Sequence, residues 1–312
     1  MTELKTSRME PAYPEQRIRR NRFGLYAAIG FILIPCMLIG CATTNAPIKL
    51  KLNPVTDTPT GIHHQGKFIW NDLLTEDVAA AKDFYGKLFG WTFEEFDHYA
   101  VIKNNGQSIG GMLQVGNDTE TIEDARWVSS LSVADVDEAA ALVTKEGGTV
   151  YRGPLDMPDR GRGALVSDPQ GAQLLLLHTT GGDPEDKEPV IGSWLWHELW
   201  SNDTEASLGF YQKLAGYDYA GEKTDYLILL KDEQWRAGIR YVPDSEVQMR
   251  WVPVVRVADT EDTAERIKEL GGEVLVGPRP TPSGGSVALL SDPSKALLII
   301  QRWSATTSGQ GE

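Results

Sequence analysis

Two short strings place an aromatic plane two residues from a carboxylate: Trp70 and Asp72 in FIWNDLL, and Trp196 and Glu198 in WLWHELW. Residues i and i+2 share one face of a β-strand, so each pair presents a ring beside an acid. That combination suits a flat or cationic organic ligand, through stacking and cation–π attraction. It also offers acid–base chemistry if burial against tryptophan raises the carboxyl pKa, which makes Asp72 and Glu198 the best candidate catalytic groups. A structural role stays open beside these: the tryptophan fills space, and the carboxylate caps a neighbouring strand or binds an arginine. His197 lies one residue off this face and is expected to point toward a helix or solvent. His98 and His178 stand alone in strand-like strings and read as structural.

Other chemistries lack residues to carry them. No Ser/His/Asp order, nucleophilic cysteine, phosphate-binding loop or glycine-rich dinucleotide turn is present. Two cysteines make no disulfide framework, and no CxxC or Cys/His cluster suggests zinc. His63-His64 falls in a linker-like stretch without a third ligand and is expected to be solvated. A formal charge of −14 argues against a nucleic-acid partner, because phosphate binding draws on clustered Lys and Arg. The Asp159-Arg160-Gly161-Arg162 loop either reaches over a cavity mouth or is a solvated turn.

The elements that must position these residues are repeated. The 312 residues, 41% hydrophobic before glycine is counted, have ordinary globular composition and a length that favours two domains. At an offset of 126, Trp70 falls on Trp196, Asp77 on Asp203, Phe84-Tyr85 on Phe210-Tyr211 and Gly90 on Gly216. At an offset of 124, Trp127-Val128 falls on Trp251-Val252, Asp135 on Asp259, Gly147-Gly148 on Gly271-Gly272 and Ser167-Asp168-Pro169 on Ser291-Asp292-Pro293. The chain is thus a tandem duplication of a unit of about 115 residues. Each unit halves again into an apolar strand, an Asp at the N-cap, an amphipathic helix and a Gly, followed by strands. Ala81, Phe84, Tyr85 and Leu88 recur at helical spacing, as do Val136, Ala139, Ala140 and Val143. Asn105-Gly106 marks a hairpin, and Asp168-Pro169 with Gly171 marks a type I turn. The expected fold is α+β, built from four βαβββ modules.

That unit, with an Asp before FY in FYGKLFGW, a GG pair and SDPQGA, resembles the vicinal oxygen chelate superfamily, which contains glyoxalase I, bleomycin-resistance proteins and extradiol dioxygenases. The resemblance covers about residues 66–304 and implies two glyoxalase-like domains, domain 1 over 66–180 and domain 2 over 190–304, with 305–312 a disordered tail. It also implies curved sheets that enclose cavities with metal ligands pointing inward. At the corresponding positions this sequence carries Trp70, Val128, Trp196 and Val252, then Leu175 and Ile299, with Gly110-Gly111 and Gly238 where a Glu is expected. Divalent cations need oxygen, nitrogen or thiolate donors, so the expectation is metal-free cavities and no cofactor. By the same resemblance Trp70, Asp72, Trp196 and Glu198 point inward. The expected function is binding of a small aromatic or cationic molecule, the alternative being a metal-independent lyase, isomerase or hydroxylase-like enzyme using Asp72 and Glu198. Since four modules pair within one chain, a monomer is expected.

The N-terminus adds a location. Arg17, Arg19, Arg20 and Arg22 precede an uncharged apolar run from Phe23 to Gly40, 18 residues long and interrupted by Pro35, which reads as a cleaved signal. Its end, Leu38-Ile39-Gly40-Cys41, resembles the lipobox of bacterial lipoproteins. The resemblance implies removal of a lipoprotein signal peptide, residues 1–40, and lipidation of Cys41, with Cys36 discarded. It further implies a protein of the cell envelope anchored to a membrane by lipid, the outer membrane facing the periplasm if the cell is Gram-negative. Residues 41–65, rich in Thr, Pro and Asn, read as a tether.

Overall fold

The computed structural model describes residues 52–96, 99–116, 125–222, 225–243, 247–281 and 284–303. The signal segment, Cys41, His98 and the 305–312 tail lie outside them. In domain 1 the elements are β1 (Phe68–Thr75), α1 (Val78–Phe89), β2 (Thr92–Phe96), β3 (Tyr99–Asn104), β4 (Gln107–Gln114), β5 (Arg126–Ser132), α2 (Val136–Lys145), β6 (Thr149–Met157), β7 (Gly161–Ser167) and β8 (Gln173–Thr179). Domain 2 repeats the order with β9 (Trp194–Ser201), α3 (Thr204–Ala215), β10 (Asp218–Glu222), β11 (Tyr226–Lys231), β12 (Gln234–Tyr241), β13 (Arg250–Arg256), α4 (Thr260–Glu269), β14 (Glu273–Pro280), β15 (Ser286–Ser291) and β16 (Leu297–Arg302). This is the α+β fold of four βαβββ modules.

Local chemistry sets the helix limits. Asp77, Asp135, Asp203 and Asp259 each accept a hydrogen bond from the backbone N–H three residues on, satisfying a donor the first turn leaves free. Gly90 and Gly216 close α1 and α3 at φ of 73° and 67°, a conformation that an L side chain adopts only under strain. Each helix buries the apolar stripe its sequence spacing marks out, Ala81, Phe84, Tyr85 and Leu88 in α1 and Val136, Ala139, Ala140 and Val143 in α2.

Each domain is one eight-stranded sheet, ordered β2-β3-β4-β1-β5-β8-β7-β6 and β10-β11-β12-β9-β13-β16-β15-β14. The central strands β1 and β5, and β9 and β13, pair antiparallel and join the two modules of a domain. The helical faces of the two sheets pack together: α2 shares an apolar cluster with α3, and α1 another with α4. The opposite faces, which carry Trp70 and Trp196, hold separate clusters.

The domain interface uses the repeat motifs themselves. Tyr211 of the second FY pair donates to Asp168 Oδ2 of the first DP turn at 3.1 Å, and Tyr85 donates to Asp292 Oδ2 at 3.0 Å. Trp251 and Trp127 donate in turn to the two phenol oxygens, at 2.8 and 3.3 Å. Asn71 and His197, equivalent positions of β1 and β9, also meet: Asn71 Oδ1 lies 2.9 Å from His197 Nε2 and accepts from Ser129 Oγ at 2.7 Å.

The stretch read as a tether is, in its described part, bound to domain 1. Leu52 and Val55 are buried with Trp70, Tyr99, Val101 and Leu177. Asp57 accepts from the backbone N–H and hydroxyl of Ser108, and the N–H groups of Thr60 and Gly61 donate to the Gly181 carbonyl. His64 N–H, Ser132 Oγ and Thr179 Oγ1 converge on the buried carboxylate of Asp183. An extended segment held by such irregular contacts has no helical or alternating period, which is why composition alone suggested a free linker. His63 is exposed, as expected, and one face of its ring stacks on His178 with centroids 4.3 Å apart.

Candidate functional site

Domain 1 assembles its cluster from four elements. Trp70 and Asp72 share the face of β1 that turns away from the helices, and Trp70 Nε1 donates to Asp72 Oδ1 at 2.9 Å and to Tyr99 Oη at 3.0 Å. Tyr99 in β3 donates to Asp72 Oδ1 at 2.6 Å. Burial pushes the Tyr99 phenol well above its ordinary pKa, and the adjacent Asp72 carboxylate pushes it further, so it stays protonated and donates. Arg160 completes the group. It is fully buried, its Cζ lies 4.6 Å from the Trp70 ring centroid, Nη2 donates to Tyr99 Oη at 3.0 Å, and Nη1 is 3.7 Å from Asp72 Oδ2. The solvated-turn reading of the 159–162 loop therefore fails for Arg160; its neighbour Arg162 is the one on the surface, paired with Asp137 and Asp156.

The cluster is covered. Arg160 Nε donates to the carbonyl of Asn53, and Leu52 and Val55 lie over Trp70 and Tyr99. The face of Trp70 that a cationic ligand would use is already occupied by the chain's own guanidinium.

Domain 2 builds a related group and leaves it more open. Trp196 Nε1 donates to Tyr226 Oη at 2.9 Å, matching Trp70 and Tyr99. Glu198 is held at both oxygens by Arg240, Nε to Oε1 at 2.7 Å and Nη2 to Oε2 at 2.8 Å, and Trp200 Nε1 also donates to Oε1 at 3.1 Å. Such a forked pair fixes geometry as well as charge. Arg240 Cζ sits 4.7 Å from the Tyr226 ring centroid. Trp196 and Tyr226 are half-buried, and Trp235 in β12, 61% exposed, meets Trp196 edge-on at 6.3 Å.

Sequence reasoning missed both tyrosines and Arg240. The repeat register carries a signal for the tyrosines, since Tyr99 and Tyr226 open equivalent strands. It carries none for the arginines, because Arg160 precedes β7 while Arg240 lies in β12. His197 is not part of either group: buried between the domains, its pKa is lowered by desolvation to about 3, so the ring is neutral.

Glycine makes room for the phenols. Gly111 pairs with Asp72, and a Cβ there would lie 1.8 Å from Tyr99 Oη; at Gly238, which pairs with Glu198, a Cβ would lie 2.1 Å from Tyr226 Oη. Any side chain at these positions excludes the tyrosine.

Residues 61–176 match the family model of the glyoxalase/bleomycin resistance protein/dioxygenase superfamily, and residues 198–297 match that of the glyoxalase-like domain. The anthracycline biosynthesis protein DauV of Streptomyces sp. (strain C5) is 30% identical over 74% of this chain and 92% of its own. The chain belongs to this superfamily. A protein of Mycobacterium tuberculosis (strain CDC 1551 / Oshkosh) carrying the name "Putative glyoxylase CFP32" is 27% identical over 76% of this chain and 95% of its own. The fold is shared with the Mn(II)-bound glyoxalase from Novosphingobium aromaticivorans, at a TM-score of 0.55 and 19% identity, covering 76% of this chain and 82% of that one.

The metal that membership implies does not fit the residues present. Asp72 is flanked across the sheet by Gly111 and Val128, and Glu198 by Gly238 and Val252, none of which offers a side-chain donor. Leu175 and Ile299 stand on the next strands. In domain 2 the carboxylate's oxygens are engaged by Arg240, and in domain 1 a guanidinium already faces Asp72. A divalent cation at either place would meet a positive charge and too few oxygen or nitrogen donors. Among the described residues, no group of three His, Cys, Asp or Glu could hold a metal ion.

Proposed function

We propose that this superfamily member is a metal-free small-molecule binder whose working surface is the Trp196-Tyr226-Trp235 face of domain 2, and that its ligand is a planar aromatic. The carrying observation is the contrast between the domains: Trp70 and Arg160 are sealed beneath Leu52 and Val55, whereas Trp196 stands beside the exposed ring of Trp235. Exposed aromatic faces take up flat rings by stacking. A cationic ligand is disfavoured because Glu198 spends its charge on Arg240. The same pairing argues against acid–base turnover, since both oxygens of Glu198 already accept hydrogen bonds from Arg240. The relative DauV is named for anthracycline biosynthesis, which agrees with a planar aromatic ligand. Lipid attachment at Cys41 in the cell envelope belongs to the same proposal and rests on the LIGC string.

The test is calorimetric titration of the purified protein with a soluble anthraquinone and, in parallel, a quaternary ammonium compound. The expected result is binding of the anthraquinone, weakened about fivefold by Trp235→Ala as one aromatic contact of about 1 kcal/mol is lost. Preference for the quaternary ammonium, or anthraquinone binding indifferent to Trp235→Ala and Trp196→Ala, overturns the reading.

A further inference from the structure

The cover over domain 1 sits on the sheet face as a ligand sits in a site. Residues 52–57 belong to no helix or strand, and they reach the Trp70 face through two apolar side chains and one carbonyl. Leu52 and Val55 are buried with Trp70, Tyr99, Val101 and Leu177, and the carbonyl of Asn53 accepts from Arg160 Nε. In the repeat register the same distance before β9 falls on residues 178–183, and that stretch is spent on domain 1 instead: the Gly181 carbonyl accepts from the Thr60 and Gly61 N–H groups, and the Asp183 carboxylate from His64 N–H and Ser132 Oγ. Trp70 is therefore sealed while Trp196 stays half-buried.

The fit of the cover is incomplete. Three buried side-chain atoms without a hydrogen-bond partner gather around it: Thr56 Oγ1 in the segment itself, Ser130 Oγ on β5, and Arg160 Nη1. Ser130 pairs directly across the sheet with Trp70, so the two side chains share a face. Arg160 Nη1 lies 3.7 Å from Asp72 Oδ2, an ion-pair distance too long for a hydrogen bond. Burying polar groups unpaired is costly, and water supplies the missing bonds once the segment lifts. The grip of residues 52–57 on the site is thus chiefly that of two aliphatic side chains.

We propose that residues 52–57 are a displaceable strap closing a second ligand site on domain 1, and that this site takes an uncharged molecule pairing an apolar body with a carbonyl oxygen, an aryl amide or aryl ketone. The body replaces Leu52 and Val55 against Tyr99, Val101 and Leu177, and the carbonyl replaces that of Asn53 on Arg160. A neutral acceptor suits the place because Asp72 already faces the guanidinium. The strap holds the site in reserve, since apparent affinity is the intrinsic affinity reduced by the fraction of molecules in which the strap is off. This goes beyond the reading of domain 2 and does not rest on it.

The experiment is calorimetric titration of the full chain with 2-naphthamide, a neutral ring system carrying one carbonyl, together with hydrogen exchange followed across residues 52–57. Leu52→Ala combined with Val55→Ala loosens the strap and is expected to tighten naphthamide binding about tenfold or more; adding Arg160→Met removes that gain, and adding Trp235→Ala, which alters only the domain 2 face, leaves it. Melting curves check that each variant folds. The unsubstituted protein supplies an independent arm: saturating naphthamide speeds exchange across 52–57 and leaves β1 and β5 protected. No gain in the double variant, a gain that survives Arg160→Met, or exchange across 52–57 unchanged by naphthamide overturns the proposal. Anthraquinone binding that depends on Trp235 is scored separately, so failure of either site is told apart from failure of the other.

Discussion

Replacing Tyr211 by Phe removes one oxygen atom from the domain interface and breaks two hydrogen bonds, the 3.1 Å bond to Asp168 Oδ2 and the 2.8 Å bond from Trp251 Nε1. Asp168 keeps the backbone N–H groups of Gln170 and Ala172 on Oδ1, so it remains ordered, but Oδ2 loses its donor. A hydrogen bond to a charged group is worth about 1.5–3 kcal/mol, and the stranded indole N–H adds part of a further 1–3, which gives a loss of about 3 kcal/mol. In urea, with a slope of about 2–3 kcal/mol/M for a protein of this size, the unfolding midpoint falls by about 1 M. The loss depends on pH in a defined direction. Burial raises the Asp168 pKa above its ordinary value and the Tyr211 bond opposes that rise. A carboxyl raised in the folded state contributes stability below its unfolded pKa and loses it as pH climbs through the folded value. Without Tyr211 the folded pKa rises further, so the deficit of Tyr211→Phe is largest at neutral pH and shrinks toward about pH 4, leaving the Trp251 contribution. Urea unfolding of both proteins at pH 7 and at about pH 4 is the assay. A loss below about 0.5 kcal/mol at pH 7, or an equal loss at both pH values, refutes the reasoning.

Asp72→Ala leaves Arg160 fully buried opposite no carboxylate and is expected to destabilise by about 3 kcal/mol or more, whereas Arg160→Met, which removes the charge and keeps the volume, is milder; thermal unfolding of both variants decides the order. Val55→Asp places a charge in the apolar cluster over Trp70 and is expected to release the 52–57 segment while the sheets stay intact, seen as loss of amide protection at the Thr60 and Gly61 N–H groups with protection in β1 and β5 retained.

How far the sequence reached follows from the range of the interactions. The four Asp caps and the apolar stripes of α1 and α2 are local, set by spacings of three and four residues, and they are legible without any structure. The duplication is legible because two fixed offsets, 126 over residues 68–91 and 124 over residues 127–169, each hold without a gap. Trp70, Asp72, Trp196 and Glu198 were placed on one strand face by alternation alone. What answers them was hidden, since Arg160 comes from a loop about 90 positions away and Arg240 from a strand where domain 1 has Leu113. The conservation of FY and DP between the two halves looked like a family mark and a turn; in the folded chain the same residues are hydrogen-bond partners across the interface, Tyr85 to Asp292 and Tyr211 to Asp168. Leu52 and Val55 gave no periodic signal because they cover the cluster from an extended segment.

In both domains hydrogen-bonded Trp, Tyr, carboxylate and Arg groups stand where metal ligands are expected. Elemental analysis of the purified, dialysed protein tests this most directly. The prediction is no Mn, Fe, Ni or Zn above a small fraction of one equivalent per chain, before or after incubation with each ion; near-stoichiometric metal that survives dialysis contradicts it.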